Sequence, residues 1–273
     1  MNRTNIFSFQ FVLLAMISAW RRVRSTFVLL SSMVLLAGSV AAQSITLVGE
    51  DDWYPYSALK DGRLQGFAVE VIAAAYASVD VNVSFKSAPY VRCLMLVETG
   101  QELGCFDSLK DSKLSADFLF HQEPIFKAEI GIYALSISEE SGLRASDMRG
   151  RRVGLTHGYT YTDVIDKDES IVREEAPTDL SNLRKLLLKR SEYSLVYTRV
   201  VDYLQGRYPK ELQGKVKQVG SITVDKLYVS FSKRRPESAK LRRCSIRAYA
   251  KFVTTVNTPR LNNAGKTLRL DAL

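Results

Sequence analysis

The chain of 273 residues predicts an α/β fold of two lobes, each a central mixed sheet flanked by helices. Three observations carry this. Short apolar runs of strand length alternate with segments of helical periodicity, the pattern of an open, mostly parallel sheet. That pattern restarts in the middle of the chain, after Pro124. A last apolar run, Leu227 to Phe231, returns as a strand after the second series has ended. Two lobes joined by crossing segments close on a ligand by hinge motion. One doubly wound sheet, the alternative, does not call for a restart.

The elements follow in order. Residues 1–42 read as an export signal: Arg21, Arg22 and Arg24 are basic, Phe27 to Ala37 is apolar, and Val40-Ala41-Ala42 is a small-residue cleavage pattern ending at Ala42. The apolar run is shorter than the roughly 20 residues that span a bilayer. A second apolar stretch, Ile6 to Trp20, precedes the arginines. Either the true start lies near Val23 and the written start is over-extended, or the two stretches form a two-part anchor; the first reading is preferred. The signal places the mature chain in the periplasm.

Ile45 to Gly49 is the first strand, and it leads into the aromatic loop Trp53-Tyr54-Pro55-Tyr56 and a polar turn at Asp61-Gly62. A helix follows over Phe67 to Ser78. Val81, Val83 and Phe85 alternate with Asn82 and Ser84 as a half-buried strand. Pro89 opens a helix that ends near Thr99 with Gly100 as its cap. Leu103 to Asp107 is the next strand. After Pro124, Ala128 to Ser136 leads away. A second β-α-β-α-β series then runs through Arg152 to Leu155, a helix opening after Gly158, Ile171 to Glu175, the helix Asp179 to Lys189, Tyr193 to Tyr197, and the helix Arg199 to Tyr208. Pro236 to Thr255 is a final helix. The lobes expected are 43–132 with 220–273, and 133–219.

The formal net charge is +9, or +5 without the four arginines of the signal. Lysines and arginines are interspersed with acids, which reads as a solvated surface and not a nucleic-acid footprint. There are three cysteines, Cys93, Cys105 and Cys244. An oxidising compartment permits a disulfide. Cys93 starts a predicted helix and Cys105 sits in the next strand, elements that approach closely enough to be bridged. A Cys93–Cys105 bridge is expected, with two buried thiols as the alternative. Cys244 has the apolar helical spacing of a core residue. No cysteine and histidine spacing suggests zinc, and neither a metal nor a cofactor is expected.

Taken in order, several segments resemble the family 3 extracellular solute-binding proteins, the periplasmic component of polar amino acid transporters. They are Trp53-Tyr54-Pro55-Tyr56 with Gly66 and Glu70, Arg92 with Gly100 to Phe106, Phe120 to Phe126, Met148 to Gly154 with Gly158, and Leu183 to Arg190. The resemblance implies a periplasmic-binding-protein-like fold of type II, a ligand in the cleft between the lobes, a monomer, and an ABC permease or membrane sensor as partner. It implies an aromatic wall at Trp53, with Tyr56 beside it; a core role is the alternative for both. It draws in Ser108 and the segment to Lys113, and Thr160 and Tyr161 at a helix N-terminus whose free amides favour an anion. Thr160 either offers its hydroxyl or caps the helix. Tyr197 faces the cleft or covers the sheet. Arg92 reaches the cleft or ties loops together, and Lys113 supplies a charge or is an exposed loop lysine.

Two family features are missing. Members that bind amino acids place an arginine shortly after position 113 to clamp the α-carboxylate; this chain has Leu114-Ser115-Ala116-Asp117. They often carry an aspartate for the α-ammonium where this chain has Val196-Tyr197-Thr198. A site lacking both groups is not expected to hold an ordinary amino acid. The inventory Trp53, Tyr56, Arg92, Lys113 and Tyr197 suggests an aromatic or anionic solute instead. The alternative to a binding protein is an enzyme on the same fold, resembling the cyclohexadienyl dehydratases, with His157, Asp111 and Glu123 as acid or base candidates. A degenerate pair of lobes that only contacts a sensor is the third reading.

Overall fold

The computed structural model describes residues 43–243. The readings of residues 1–42 and of Cys244 lie outside the described residues. The first half comprises β1 (Gln43–Glu50), a meander of β2 (Asp52–Trp53), β3 (Ser57–Lys60) and β4 (Arg63–Gln65), then α1 (Phe67–Ala77), β5 (Val81–Ala88), α2 (Tyr90–Glu98), β6 (Gly104–Leu109), α3 (Ser112–Asp117) and β7 (Phe118–Phe120). β8 (Phe126–Leu135) leads to β9 (Arg152–Thr156), α4 (Asp163–Asp166), β10 (Val172–Ala176), α5 (Asp179–Leu187), β11 (Tyr193–Tyr197), α6 (Thr198–Arg207), α7 (Pro209–Leu212) and β12 (Val216–Ser232). Residues 238–243 are helical.

Nine strands form one mixed sheet in the order β10-β9-β11-β8-β12-β6-β1-β5, with β7 on β12. Its two ends repeat one scheme. β5, β1 and β6 are parallel and meet the C-terminal part of β12 antiparallel. β10, β9 and β11 are parallel and meet β8 antiparallel. The restart seen in the sequence is therefore a repeated sheet. The long antiparallel pair β8–β12 joins the two repeats without a break.

β12 is 17 residues long, far longer than the return strand read from Leu227 to Phe231. Its first part pairs with β8 and carries Lys217, Gln218, Asp225 and Lys226, so it lacks an apolar run. Ladder hydrogen bonds to β8, not burial, make it a strand. The segment after Glu50, read as a loop, is the three-stranded meander. Its chain returns against α1: Phe67 N–H and Ala68 N–H donate to the carbonyls of Pro55 and Tyr56 at 3.0 and 2.9 Å. These bonds satisfy amides that a helix start leaves unpaired. Gly66 makes the approach possible, because its φ is 137° and a Cβ there would lie 2.3 Å from the Tyr56 carbonyl oxygen.

Cys93 of α2 and Cys105 of β6 are bonded, with their Cα atoms 5.8 Å apart. The bridge packs among Val48, Val97 and Tyr228 on one face of the sheet. It closes a loop of 12 residues. In the chain-entropy model such a closure is worth about 3 kcal/mol. Cys93→Ser with Cys105→Ser is expected to lower stability by about that amount. Urea unfolding with and without reductant checks this: reduction should shift the wild-type midpoint and leave the double variant unmoved.

Candidate functional site

A small cavity opens where the carboxyl ends of parallel strands from both repeats meet. It is lined by Glu50, Trp53, Tyr90, Asp107, Leu109, Tyr159, Thr160 and Tyr197. Glu50 ends β1, Asp107 and Leu109 lie near the end of β6, and Tyr197 ends β11. Tyr159 and Thr160 follow β9, and Tyr90 follows β5. This is where open α/β sheets place ligands, because loops there face the chain's crossovers and leave a crevice. The central space is about 20 Å³, room for one group the size of water.

The aromatic walls touch in sequence. Trp53 packs on Tyr56 with ring centroids 4.3 Å apart and meets Tyr197 edge-on at 4.9 Å. Tyr159 lies 6.5 Å from Tyr197 and 5.7 Å from Tyr90. Trp53 is only 2% exposed, so it is at once a core residue and a wall of the cavity. Tyr56 stacks on Phe126 at 4.9 Å and supports Trp53 from outside the cavity lining.

Two carboxyls face this space. The Tyr159 hydroxyl donates to Glu50 Oε1 at 2.6 Å, linking a residue of one repeat to the other. Burial holds the Glu50 carboxyl well above the usual glutamate range, against the opposing pull of that hydrogen bond. Tyr159→Phe removes the donor and leaves a carboxyl short of a partner. It is expected to cost roughly 1–3 kcal/mol in urea unfolding. An unchanged midpoint would deny the link any structural weight.

Asp107 is 6% exposed and sits in a β-bulge. Register places Cys105 opposite Ser230 and Ser108 opposite Tyr228, so Phe106 and Asp107 together oppose Val229. Asp107 has a φ of 64°, the left-handed region. A bulge re-aims a side chain, and a non-glycine residue in this region is strained unless its surroundings hold it. Two contacts do so. Ser57 Oγ donates to Asp107 Oδ2 at 2.8 Å. His121 Nε2 accepts the Val229 N–H at 2.9 Å, directly across the bulge. Burial pushes the His121 imidazole down to about 4, so it remains neutral and able to accept. Asp107 Oδ1 has no hydrogen-bond partner among the described residues. Burial raises the Asp107 carboxyl to about 7, offset in part by the Ser57 bond.

Of the residues expected at the site, Trp53, Thr160 and Tyr197 line the cavity. The Tyr197 hydroxyl donates to Asp225 Oδ2 at 2.9 Å, which anchors the ring to β12. Ser108 is buried behind the cavity, bonded to Ser230 Oγ at 3.0 Å. Tyr161 is also buried outside the lining; its hydroxyl oxygen accepts the Thr156 N–H at 2.8 Å. Arg92 is exposed on α2 and is not a lining residue. Lys113 falls in α3, and its side chain lies outside the described residues.

The helix N-terminus expected to favour an anion is not one. α4 has four residues and begins at Asp163, with Thr162 and not Thr160 in the capping position. The Tyr161 N–H just before it donates to the chain's own Asp166 Oδ2 at 2.9 Å. Thr160 Oγ1 instead lies 3.5 Å from Asp111 Oδ2. His157 is at the surface, with Nδ1 2.8 Å from Glu175 Oε2. Asp111 Oδ1 accepts the Leu114 N–H at 2.7 Å as the cap of α3, and Glu123 is exposed. No hydrogen bond joins any two of His157, Asp111 and Glu123 among the described residues.

Glu50, Tyr90, Asp107 and Tyr159 were not among the residues expected from the sequence. The strand-end rule alone points to Glu50, the last residue of β1. Asp107 carries no local signal, since its placement depends on a bulge set by the register of a strand over a hundred residues away.

No family model matches the sequence, and no curated protein matches it. Solved structures do match in fold. A histidine kinase sensor domain with similarity to periplasmic binding proteins aligns with a TM-score of 0.68 at 18% identity, covering 78% of this chain and 92% of that one. An ancestral arginine-binding protein bound to arginine aligns at 0.65 and 16% identity, over 77% of this chain and 92% of that one. The substrate binding protein of an amino acid ABC transporter aligns at 0.62 and 12% identity, over 78% and 94%. The fold is that of the two-lobed periplasmic binding proteins.

Proposed function

We propose that this chain is an exported, non-catalytic binding protein of the periplasm. It captures a small solute between its lobes, one that is not a standard amino acid. As a monomer it presents that solute to an ABC permease or a membrane sensor. Its lobes are 43–132 with 220–273, and 133–219. The observation that carries this reading is the cavity itself, walled from both repeats at the carboxyl ends of their strands and containing a buried carboxyl with a free oxygen. No described helix is long and apolar enough to cross a membrane. The surface position of the His157–Glu175 pair favours binding over acid–base catalysis.

Thermal denaturation in the presence of a broad metabolite collection tests the reading. A solute that binds only the native state stabilises it by about 2.7 kcal/mol at a hundredfold excess over Kd. Trp53 is the single tryptophan after residue 42, so its fluorescence is a second, local readout of occupancy. A cognate solute should raise the melting temperature and shift Trp53 emission together. If no compound class does either, the binding reading fails.

A further inference from the structure

We propose, resting on the solute-binding reading above, that the cavity recognises the ammonium group of a primary amine that carries no carboxylate. Four features of the lining support this choice. Asp107 and Glu50 both face the space, and Asp107 Oδ1 is a buried acceptor that has no partner among the described residues. An ammonium brings three donors, enough for that oxygen and for Glu50. No lysine, arginine or histidine is part of the lining among the described residues. A carboxylate on the ligand would face two acids with no cation among the described lining residues to offset it, a repulsive arrangement where those acids are ionised. Trp53 Nε1, a buried donor at the wall with no partner among the described residues, is neutral and does not balance them.

The rings supply the third feature. Trp53, Tyr90, Tyr159 and Tyr197 surround the acids, and aromatic faces attract a desolvated cation through the ring quadrupole. Size is the fourth. The central space of about 20 Å³ matches an ammonium group, which is close to water in size. This proposal differs from the expectation of an aromatic or anionic solute. That expectation weighed Arg92, which is not a lining residue, and Lys113, whose side chain lies outside the described residues; the charged residues of the described lining are Glu50 and Asp107.

Matched pairs that differ only in the carboxylate test this directly. Purified protein at pH 8 is titrated with agmatine against arginine, putrescine against ornithine, and cadaverine against lysine. Tetramethylammonium and phenylacetate are included. Trp53 emission and melting temperature are the readouts. The decarboxylated member of each pair should bind about tenfold or more tightly than its partner. Tetramethylammonium and phenylacetate should be weaker than the best amine. Asp107→Asn, confirmed as folded by circular dichroism, should lose about tenfold or more in amine affinity, the worth of one charge-assisted hydrogen bond. Tighter binding of an amino acid or of phenylacetate overturns the ammonium assignment and leaves the binding reading standing. Amine affinity retained within about twofold in Asp107→Asn overturns the site. Binding by none of the probes overturns the assignment, and failure of the wider metabolite collection as well removes the binding reading with it.

Discussion

Trp53→Ala is expected to cost about 3–5 kcal/mol of stability, among the largest effects open to a single substitution in this chain. The ring is 2% exposed and touches Tyr56, Tyr197 and Phe126 at centroid distances of 4.3, 4.9 and 6.3 Å. Tyr56 belongs to the first repeat, Phe126 opens the joining strand β8, and Tyr197 ends a strand of the second repeat. Alanine would lose the transfer free energy of the indole and leave a void between elements that cannot easily collapse onto it, since the sheet on both sides is continuous. Trp53→Phe keeps part of the packing and should cost less than half as much. Urea unfolding followed by far-ultraviolet circular dichroism checks both, because the variants lack the fluorophore. If alanine cost no more than about 1 kcal/mol, the value for an average point substitution, the ring would not be the contact that joins the repeats.

Asp107→Asn is expected to stabilise the protein at alkaline pH and to leave it nearly unchanged at acid pH. The sign follows from where the proton is held. In the unfolded chain the carboxyl titrates near 3.8, and in the folded protein burial raises it to about 7. Between those values the folded state binds more protons than the unfolded state, so stability falls as pH rises through the window. Below it both states carry the neutral acid and no penalty applies. Above it the folded protein bears a buried charge that costs up to about 4 kcal/mol, three pKa units at 1.36 kcal/mol each. Asparagine keeps a carbonyl to accept from Ser57 Oγ and never ionises. Asp179 is also raised to about 7, so the wild-type profile mixes several groups. The difference between wild type and variant isolates Asp107. The measurement is the urea midpoint of each protein at pH 4.5 and 8.0. An equal difference at both pH values would show that Asp107 is not the group that titrates there. The same carboxylate is the one assigned to hold the ammonium, so the charge that weakens the unliganded protein is the charge a cation would neutralise.

Much of the architecture was legible in order. The alternation of Val81, Val83 and Phe85, the proline before Tyr90, and the leucine stripe of Asp179–Leu187 mark elements that fold where local pattern and burial agree. The disulfide was legible for the same reason, since a helix and its following strand are neighbours by topology. Errors came where one level overrides another. The first part of β12 is polar and is a strand through its ladder to β8. The helix after Gly158 is cut to four residues, and its neighbouring amide is occupied by Asp166.

The sequence by itself determined the repeated α/β series and brought the two bridging cysteines to neighbouring elements, because each rests on residues near one another in the chain and on the period of their side chains. The tertiary structure decided the chemistry of the cavity. It brings Glu50, Asp107 and Tyr159 together from three separate strand ends, and it turns Asp107 inward through a bulge held open across the sheet by Val229 and His121. Register between distant strands has no local signature, and it is register that sets the bulge turning the buried Asp107 carboxyl toward the cavity.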